Sequence, residues 1–170
     1  MVLAFSSPVS PDVFDDLYKL LESIKIPVKR GNSNRRGFPI HQAVVFGITR
    51  QRFTGKVKES RYTELHPAIW QEIQRVGSII NPEFKYNSVY VNQNVITPPH
   101  KDSKNVGKSL LVSFGDYTGC NIVIEGEIYD AKYNPVVFDG AACLHLNTDD
   151  LVGTKYSLVF FNTAIPTVKI

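Results

Sequence analysis

The residues best suited to chemistry lie in residues 98–102, where His100 and Asp102 are separated by one residue. Side chains two apart on an extended strand point to the same side, so an imidazole and a carboxylate could share a metal ion there. His145 is the downstream residue best suited to supply a third ligand. Two imidazoles and one carboxylate form a facial set that binds Fe(II) and leaves coordination positions open. Zinc is the other metal that these residue types accommodate.

Each of these residues also has an ordinary structural interpretation. A lone His-x-Asp pair is often a solvated turn, and His145 could be a half-buried strand histidine. The order of the surrounding parts favours a metal site: a strand, the His-x-Asp pair, several short strands, His145, and then Lys155 and Ser157 on an apolar strand. The sequence therefore predicts a metal centre formed by His100, Asp102 and His145.

Lys155, ten residues after His145, could bind the far end of a small molecule that also coordinates the metal. Lys155 lies on an otherwise apolar strand, and Ser157 points to the same side. An α-keto acid such as 2-oxoglutarate can chelate iron, and its distal carboxylate then needs a buried cation and hydrogen-bond donors. Asn92 and Tyr90 could add contacts from a facing strand. The alternative is that Lys155 is an exposed lysine on an edge strand.

Length and composition limit the class of protein. The chain has 170 residues, 43% of them hydrophobic and 21% charged, which is enough for one domain with a sizeable core. No segment has the length of a membrane span, and the N-terminus lacks the features of a secretory signal, so we expect an intracellular protein. Cys120 and Cys143 lack a Cys-x-x-Cys spacing and are expected to be reduced thiols.

Positive charge is concentrated in residues 29–61, which hold nine basic residues and one acid, Glu59. This basic block therefore carries +8, whereas the whole chain carries +3, and it could attract a polyanion such as nucleic acid. Arg35 and Arg36 are candidates for contacting that partner. Asn105, three residues beyond the His-x-Asp pair, is placed either to contact a substrate near the metal or to cap a turn. The alternative is a solvated cationic loop without a partner.

Two helices and many short strands are predicted to position these residues. Residues 10–12 have the cap, proline and acid of a helix start, and a second helix is predicted from residue 66 to Gly77. Residues 50–62 are predicted to be a polar loop or an irregular ribbon, and residues 115–117 a turn. The predicted strands cover residues 43–48, 89–96, 109–114, 121–124, 127–129, 136–138, 142–146 and 155–161. Short strands separated by glycine-containing turns indicate a β-sandwich or jelly roll.

The predicted organisation is a single domain of residues 1–170. A helical, basic N-terminal part, residues 1–84, is expected to pack on a β core, residues 85–170, that contains the metal site. The fold class is therefore α+β, and we expect a monomer without membrane association.

Several segments together resemble a known enzyme superfamily. They are His145 and residues 100–105, 115–119, 138–140 and 153–159. In this order they look like a 2-oxoglutarate/Fe(II)-dependent dioxygenase, over roughly residues 88–162. Within that superfamily the chain is most similar to the nucleobase-oxidising TET/J-binding-protein branch and its viral, phage and fungal relatives.

The resemblance implies a double-stranded β-helix, a cupin-like jelly roll, with N-terminal helices packed on one sheet. It also implies Fe(II) as cofactor, with 2-oxoglutarate and O2 as co-substrates. The 2-oxoglutarate is converted to succinate while a substrate C–H bond is oxidised. The substrate that it suggests is a nucleobase such as 5-methylcytosine or thymine, with nucleic acid bound through residues 29–61.

Two residues depart from the pattern of that superfamily. Lys155 stands where arginine is usual, and it offers a point charge in place of a bidentate fork. Cys120 replaces the second glycine of a Gly-Asp-Tyr-x-Gly-Gly turn, where free backbone dihedrals are needed.

Two alternative functions stay open beside the nucleobase dioxygenase. One is a hydroxylase of a protein side chain or small molecule, and the other is a catalytically silent jelly-roll binding module.

Overall fold

The computed structural model describes residues 4–5, 7–30, 40–51 and 53–165. The described strands are β1 (Ala4–Phe5), β2 (Val28–Arg30), β3 (Ile40–Arg50), β4 (Val57–Glu59), β5 (Ser88–Gln93), β6 (Ser109–Thr118), β7 (Ile122–Ile124), β8 (Glu127–Tyr129), β9 (Val136–Phe138), β10 (His145–Asn147) and β11 (Val152–Phe161). The α-helices are α1 (Asp15–Glu22), α2 (Arg61–Leu65) and α3 (Pro67–Ile80), and a 3-10 turn, Pro11–Phe14, precedes α1.

The strands form two antiparallel sheets. The large sheet has the order β1-β9-β6-β11-β5-β3-β2, with β4 paired to β3, and the small sheet has the order β10-β7-β8. An isolated backbone bridge joins His100 to His145, so the segment that carries the His-x-Asp pair lies beside β10. The predicted combination of antiparallel strands with a few helices is confirmed. The double-stranded β-helix stays a prediction.

The helices cover one face of the large sheet. Apolar residues spaced three or four apart on α1 and α3 face every second residue of the central strands, because helix and strand side chains repeat at those two periods. This outer core contains Phe14, Leu17, Leu21, Ile69, Ile73, Val76, Ile80, Val44, Phe46, Val89, Val91, Val112, Phe114, Tyr156, Leu158 and Phe160.

The opposite face of the large sheet is directed toward the small sheet. A second, smaller core fills part of the space between them, formed by Leu111, Ile122, Ile124, Ala131, Val136, Phe138 and Cys143. The same face also carries buried polar residues, namely Asn92, Ser113 and Lys155. Within the described residues, no helix is both long and apolar enough to span a lipid bilayer.

Both predicted helix boundaries need correction. The first helical segment begins as a 3-10 turn, and the Ser10 side chain makes no capping hydrogen bond. The last helix continues through Gly77 to Ile80. A Cβ atom at Gly77 would lie 2.9 Å from Cε1 of Phe160. This glycine therefore lets the helix approach the sheet closely and does not end the helix.

The predicted turn is wrong, and the stretch predicted as a polar loop or irregular ribbon contains regular elements. Residues 50–62 contain β4 and the start of α2, where the Ser60 hydroxyl accepts a hydrogen bond from the Tyr62 N–H at 3.2 Å. Residues 115–117 continue β6. Gly115 has a φ of +118°, and a Cβ there would lie 2.4 Å from the carbonyl oxygen of Thr154. Its role is a close backbone approach between β6 and β11.

Candidate metal centre

The three predicted metal ligands lie together at one end of the space between the sheets. Ligand atoms of His100, Asp102 and His145 are all within 4.8 Å of one another. Asp102 Oδ2 is 3.2 Å from His145 Nε2, and Asp102 Oδ1 is 3.7 Å from His100 Nε2. His145 is buried, whereas the other two side chains are partly exposed. The arrangement therefore has one side open to incoming molecules.

Backbone hydrogen bonds position these ligands. The His100 N–H donates to the His145 carbonyl at 3.0 Å, and the His145 N–H donates to the His100 carbonyl at 3.1 Å. The Asp102 N–H donates to the Gly140 carbonyl at 2.8 Å. The two histidines thus sit directly opposite each other as a hydrogen-bonded antiparallel pair, so their side chains are cross-strand neighbours.

The second nitrogen of each imidazole is also fixed. His100 Nδ1 lies 2.7 Å from the Pro98 carbonyl oxygen, and His145 Nδ1 lies 2.9 Å from the Cys143 carbonyl oxygen. A carbonyl can only accept, so each Nδ1 must donate, and a neutral ring then presents its Nε2 lone pair toward Asp102. Two lone pairs facing a carboxylate form a donor set that a divalent metal ion satisfies.

A cavity leads from the metal ligands into the space between the sheets. It has a volume of about 60 Å³, and its lining includes all four residues predicted to hold a co-substrate: Tyr90, Asn92, Lys155 and Ser157. At the metal ligands it meets a wider cleft of about 650 Å³ that opens to solvent. The two spaces share Tyr90, His100, Asp102 and Asn105.

Lys155 is a buried cation at the inner part of this cavity, with 5% of its surface exposed. Its Nζ donates to the Cys120 carbonyl oxygen at 2.7 Å and lies 3.3 Å from the Cys120 Sγ. Burial lowers the pKa of Lys155, and the neighbouring Cys120 opposes that shift. No acidic side chain among the described residues forms a salt bridge with it. The alternative of an exposed edge lysine is therefore wrong.

Cys120 itself has a φ of +52°, in the left-handed region. Position 120 therefore needs a backbone conformation that glycine adopts most easily, as expected from the glycine that the superfamily pattern has there.

Ser157 and Asn92 face each other across the pairing of β11 with β5. The Asn92 Nδ2 donates to the Ser157 Oγ at 3.3 Å, and the Asn92 Oδ1 is buried without a hydrogen-bond partner. Tyr90, two residues before Asn92, stacks on Phe161 with ring centroids 5.2 Å apart. A polar surface that the protein alone leaves partly unsatisfied therefore lies beside Lys155.

The predicted substrate contacts are placed only in part. Asn105 lines both spaces, and its N–H donates to the Asp102 carbonyl at 3.0 Å. Of the basic block, Arg50 lines the wider cleft and donates from Nη2 to the Ala164 carbonyl at 2.7 Å. Arg35 and Arg36 lie outside the described residues.

Two lysines that were not predicted as site residues, Lys101 and Lys104, also line the wider cleft. Lys101 lies between His100 and Asp102, and Lys104 follows Asp102 by two residues, so their proximity to the metal ligands could have been inferred from the sequence.

A clamp that sequence reasoning missed ties the two ligand segments together. The Asn147 Oδ1 accepts hydrogen bonds from the Thr97 N–H at 3.1 Å and from the Thr97 Oγ1 at 2.9 Å. The Asn147 N–H donates in return to the Thr97 carbonyl at 3.0 Å. The predicted strand ends at residue 146, whereas Asn147 is the last residue of β10. Its position two residues after His145, on the same side of a strand, was the available signal.

No protein-family profile and no curated protein matches the chain. Solved structures share its fold. NgTET1, determined in complex with 5mC DNA, is 13% identical with a TM-score of 0.61, over 91% of this chain and 69% of that one. An oxidoreductase of the 2OG-Fe(II) oxygenase family from Burkholderia pseudomallei is 13% identical with a TM-score of 0.50, over 86% and 75%. OsALKBH1 is 11% identical with a TM-score of 0.51, over 93% and 95%. The chain therefore has the fold of the 2-oxoglutarate/Fe(II) oxygenases, which confirms the predicted resemblance at the level of the fold.

Proposed function

We propose that the protein is an Fe(II)- and 2-oxoglutarate-dependent dioxygenase that oxidises a C–H bond of a nucleobase in nucleic acid. The observation that carries this proposal is that one cavity joins the His-Asp-His donor set to a buried lysine that forms no salt bridge with a carboxylate of the described residues. The shared fold supports the same activity. The proposal includes a double-stranded β-helix core, a single domain and a monomer.

The donor set fits Fe(II). His100, Asp102 and His145 would hold the ion, and the hydrogen bonds from each Nδ1 to a carbonyl keep both imidazoles oriented for it. When bound, Fe(II) supplies the activation of O2 that is coupled to conversion of 2-oxoglutarate to succinate. The polypeptide binds and orients the reactants around it, and the burial of His145 limits access of water from that side.

The inner end of the cavity fits the distal carboxylate of 2-oxoglutarate. Buried charges are normally paired, whereas the neighbours given for the Lys155 Nζ are neutral: the Cys120 carbonyl, the Cys120 thiol and the face of the Tyr117 ring, 5.5 Å from its centroid. A carboxylate there would accept from Nζ and from the Ser157 hydroxyl in a charge-assisted arrangement. The unpartnered Oδ1 of Asn92 is a further polar position that a bound molecule, directly or through water, would satisfy.

The wider cleft supports a nucleic-acid substrate. Arg50, Lys101 and Lys104 line it together with His100 and Asp102, so cations lie around the opening of the metal site. Phosphate contacts of this kind supply sequence-independent affinity for nucleic acid. The similarity to a structure solved with 5mC DNA favours a base such as 5-methylcytosine or thymine. A base would be turned out of the stack to reach the metal.

The test measures succinate formation and substrate mass together. Protein loaded with Fe(II) is incubated with 2-oxoglutarate, O2 and oligonucleotides containing thymine, cytosine or 5-methylcytosine. We expect succinate and a 16 Da gain on a base, following addition of one oxygen atom.

Asp102→Ala should remove both products, because a metal ligand is lost, while Asp149→Ala, an exposed acid, should keep them. Succinate with oxidation of peptides or free nucleosides only would favour the small-molecule or protein hydroxylase. Absence of succinate from well-folded, iron-loaded protein would favour the binding module.

A further inference from the structure

The thiol of Cys120 and the amine of Lys155 are in direct contact inside the cavity. The Lys155 Nζ lies 3.3 Å from the Cys120 Sγ, and the same Nζ donates to the Cys120 carbonyl oxygen at 2.7 Å. Both residues are buried, with 1% and 5% of their surface exposed, and Cys120 is not part of a disulfide. The proposed dioxygenase reaction uses the amine but gives no role to the thiol beside it.

Hydrogen bonds hold both residues in this arrangement. The Cys120 N–H donates to the Asp150 Oδ1 at 2.7 Å, and the Cys120 Sγ donates to the Val95 carbonyl oxygen at 3.7 Å. The Lys155 N–H donates to the Asn94 Oδ1 at 2.7 Å. The backbone of each residue is thus fixed by a different segment, and the thiol and the amine face each other in the folded chain.

A small oxidant can reach this thiol. Cys120 and Lys155 line the inner cavity, which has a volume of about 60 Å³ and meets the solvent-open cleft at the metal ligands. On the same measure a cavity of about 10–15 Å³ holds one water molecule, so hydrogen peroxide fits. Cys143, the second cysteine of the chain, is buried in the smaller core and does not line the cavity. Peroxide that enters the cavity therefore meets Cys120 and not Cys143.

The neighbouring amine determines the product of oxidation. A thiolate, which an adjacent cation stabilises, attacks hydrogen peroxide to give a sulfenic acid and hydroxide. The hydroxide takes a proton from the Lys155 ammonium, and burial, which lowers the pKa of Lys155, favours that transfer. A sulfenic acid condenses with a nearby nitrogen to a sulfenamide and releases water. Overall the thiol and the amine each lose one hydrogen, one S–N bond forms, and the peroxide is reduced to two water molecules.

We propose that Cys120 and Lys155 form a reversible covalent bridge, a sulfenamide between Sγ and Nζ, when hydrogen peroxide enters the cavity. The bridge itself needs no iron. Its consequence rests on the proposed function: the bridged nitrogen carries no positive charge, so the cavity loses the cation for the distal carboxylate of 2-oxoglutarate. A dithiol reverses the bridge, because thiolate attack on the bridged sulfur releases the amine and the dithiol is oxidised to its disulfide.

Intact-mass spectrometry and peptide mapping test the bridge. The full chain is treated with hydrogen peroxide in the presence of a chelator, so that iron generates no radicals, and is digested with trypsin without reductant. We expect the intact chain to lose about 2 Da, the mass of two hydrogens, and to regain it with dithiothreitol. Cleavage after Lys155 should be lost, and residues 109–132 should be recovered joined to residues 133–169.

Two variants control for other products. Cys120→Gly removes the thiol at a left-handed position that glycine tolerates, so its mass and its cleavage after Lys155 should not change. The matched control is Cys143→Ala, which should still lose about 2 Da. An unchanged mass in Cys143→Ala would identify a disulfide between the two cysteines and overturn the proposal. Oxygen addition to Cys120 with normal cleavage after Lys155 would also overturn it.

Succinate formation is scored separately, after removal of peroxide and loading with Fe(II). At 2-oxoglutarate below its KM, the bridged protein should be slower by about tenfold or more, and dithiothreitol should restore the rate. Cys120→Gly should have the same rate before and after treatment. A bridge that forms without changing the rate would overturn the consequence for 2-oxoglutarate. Absence of succinate from untreated protein would contradict the proposed function, while the mass measurements alone decide the bridge.

Discussion

Alternate residues of β5 and β11 face two different environments. On one side, Val89, Val91, Leu158 and Phe160 are fully buried against the helices. On the other side, the neighbouring residues on the same strands line the cavity, and these are Tyr90, Asn92, Lys155 and Ser157. The outer face is apolar at these positions, whereas the inner face is mainly polar, with Val159 of β11 as an apolar residue that also lines the cavity.

The difference shows how one pair of strands serves both stability and chemistry. Because side chains alternate at a period of two, each strand can give every second residue to the core and the others to the site. Removal of a polar cavity residue should then affect binding more than folding. Truncation of an outer-face residue should lower the stability of the fold more than it weakens binding. Three predictions examine that division, from the largest effect to the smallest.

Phe160→Ala should have the largest effect on folding. The ring is fully buried, packs on Tyr86 with centroids 4.8 Å apart, and contacts Gly77 of α3. We expect the free energy of unfolding to fall by about 3–5 kcal/mol, the range for truncating a buried aromatic residue. Urea denaturation followed by circular dichroism measures it, with the exposed Val152→Ala as the control. A loss below about 1 kcal/mol would show that packing on the outer face of the sheet contributes little to the free energy of unfolding.

Lys155→Met should separate binding from folding. Methionine keeps much of the side-chain length but has no charge, so 2-oxoglutarate would lose the cation for its distal carboxylate. We expect the KM for 2-oxoglutarate to rise by about 10- to 100-fold, since a charge-assisted contact contributes about 1.5–3 kcal/mol. Stability should be equal or higher, because a buried amine without a carboxylate partner is costly.

The control for that prediction is Lys108→Met, at an exposed lysine outside the cavity. An unchanged KM in Lys155→Met would mean that another residue binds the distal carboxylate of 2-oxoglutarate. A large loss of stability would mean that Lys155 belongs to the core and not to the site.

The smallest effect concerns pH. Burial lowers the pKa of Lys155 below its ordinary value of 10.5, so the folded protein releases this proton before the unfolded chain does. Between the lowered pKa and 10.5 the unfolded state binds more protons, and the contribution of Lys155 to stability therefore improves as pH rises through that window. The stability advantage of Lys155→Met over wild type should narrow as the pH approaches 10.5. Melting curves of both proteins at several alkaline pH values measure it, and parallel pH profiles would contradict it.

Much of the candidate site could be inferred from sequence because its geometry is local. The spacing of His100 and Asp102 places both side chains on one side of an extended segment, and Lys155 and Ser157 follow the same rule. The pairing of His100 with His145 needed only that two short strands be adjacent. Each of these expectations depends on a period of two, and both members of each pair line the cavity.

What the sequence could not reveal depends on contacts between distant segments. Gly77 and Gly115 look like breakers of regular structure, but they are present because Phe160 and the Thr154 carbonyl approach too closely for a side chain. The clamp between Thr97 and Asn147 joins residues that are 50 positions apart. Residues 29–61 appear as one basic block in sequence, yet Arg50 borders the metal cleft because it ends β3, whose place in the sheet depends on pairing with distant strands.

The reciprocal backbone bonds between His100 and His145 bear on how the metal is gained and lost. Pairing of the two backbone segments brings both imidazoles together when the chain folds. Most of the entropy cost of ordering these two ligands is therefore part of folding and not of metal binding. Metal loading is then an equilibrium of an already folded protein. The ion stabilises the native state only by mass action, in proportion to the logarithm of its concentration over the dissociation constant. A chelator would therefore empty the site and leave the strands paired, ready to take up iron again.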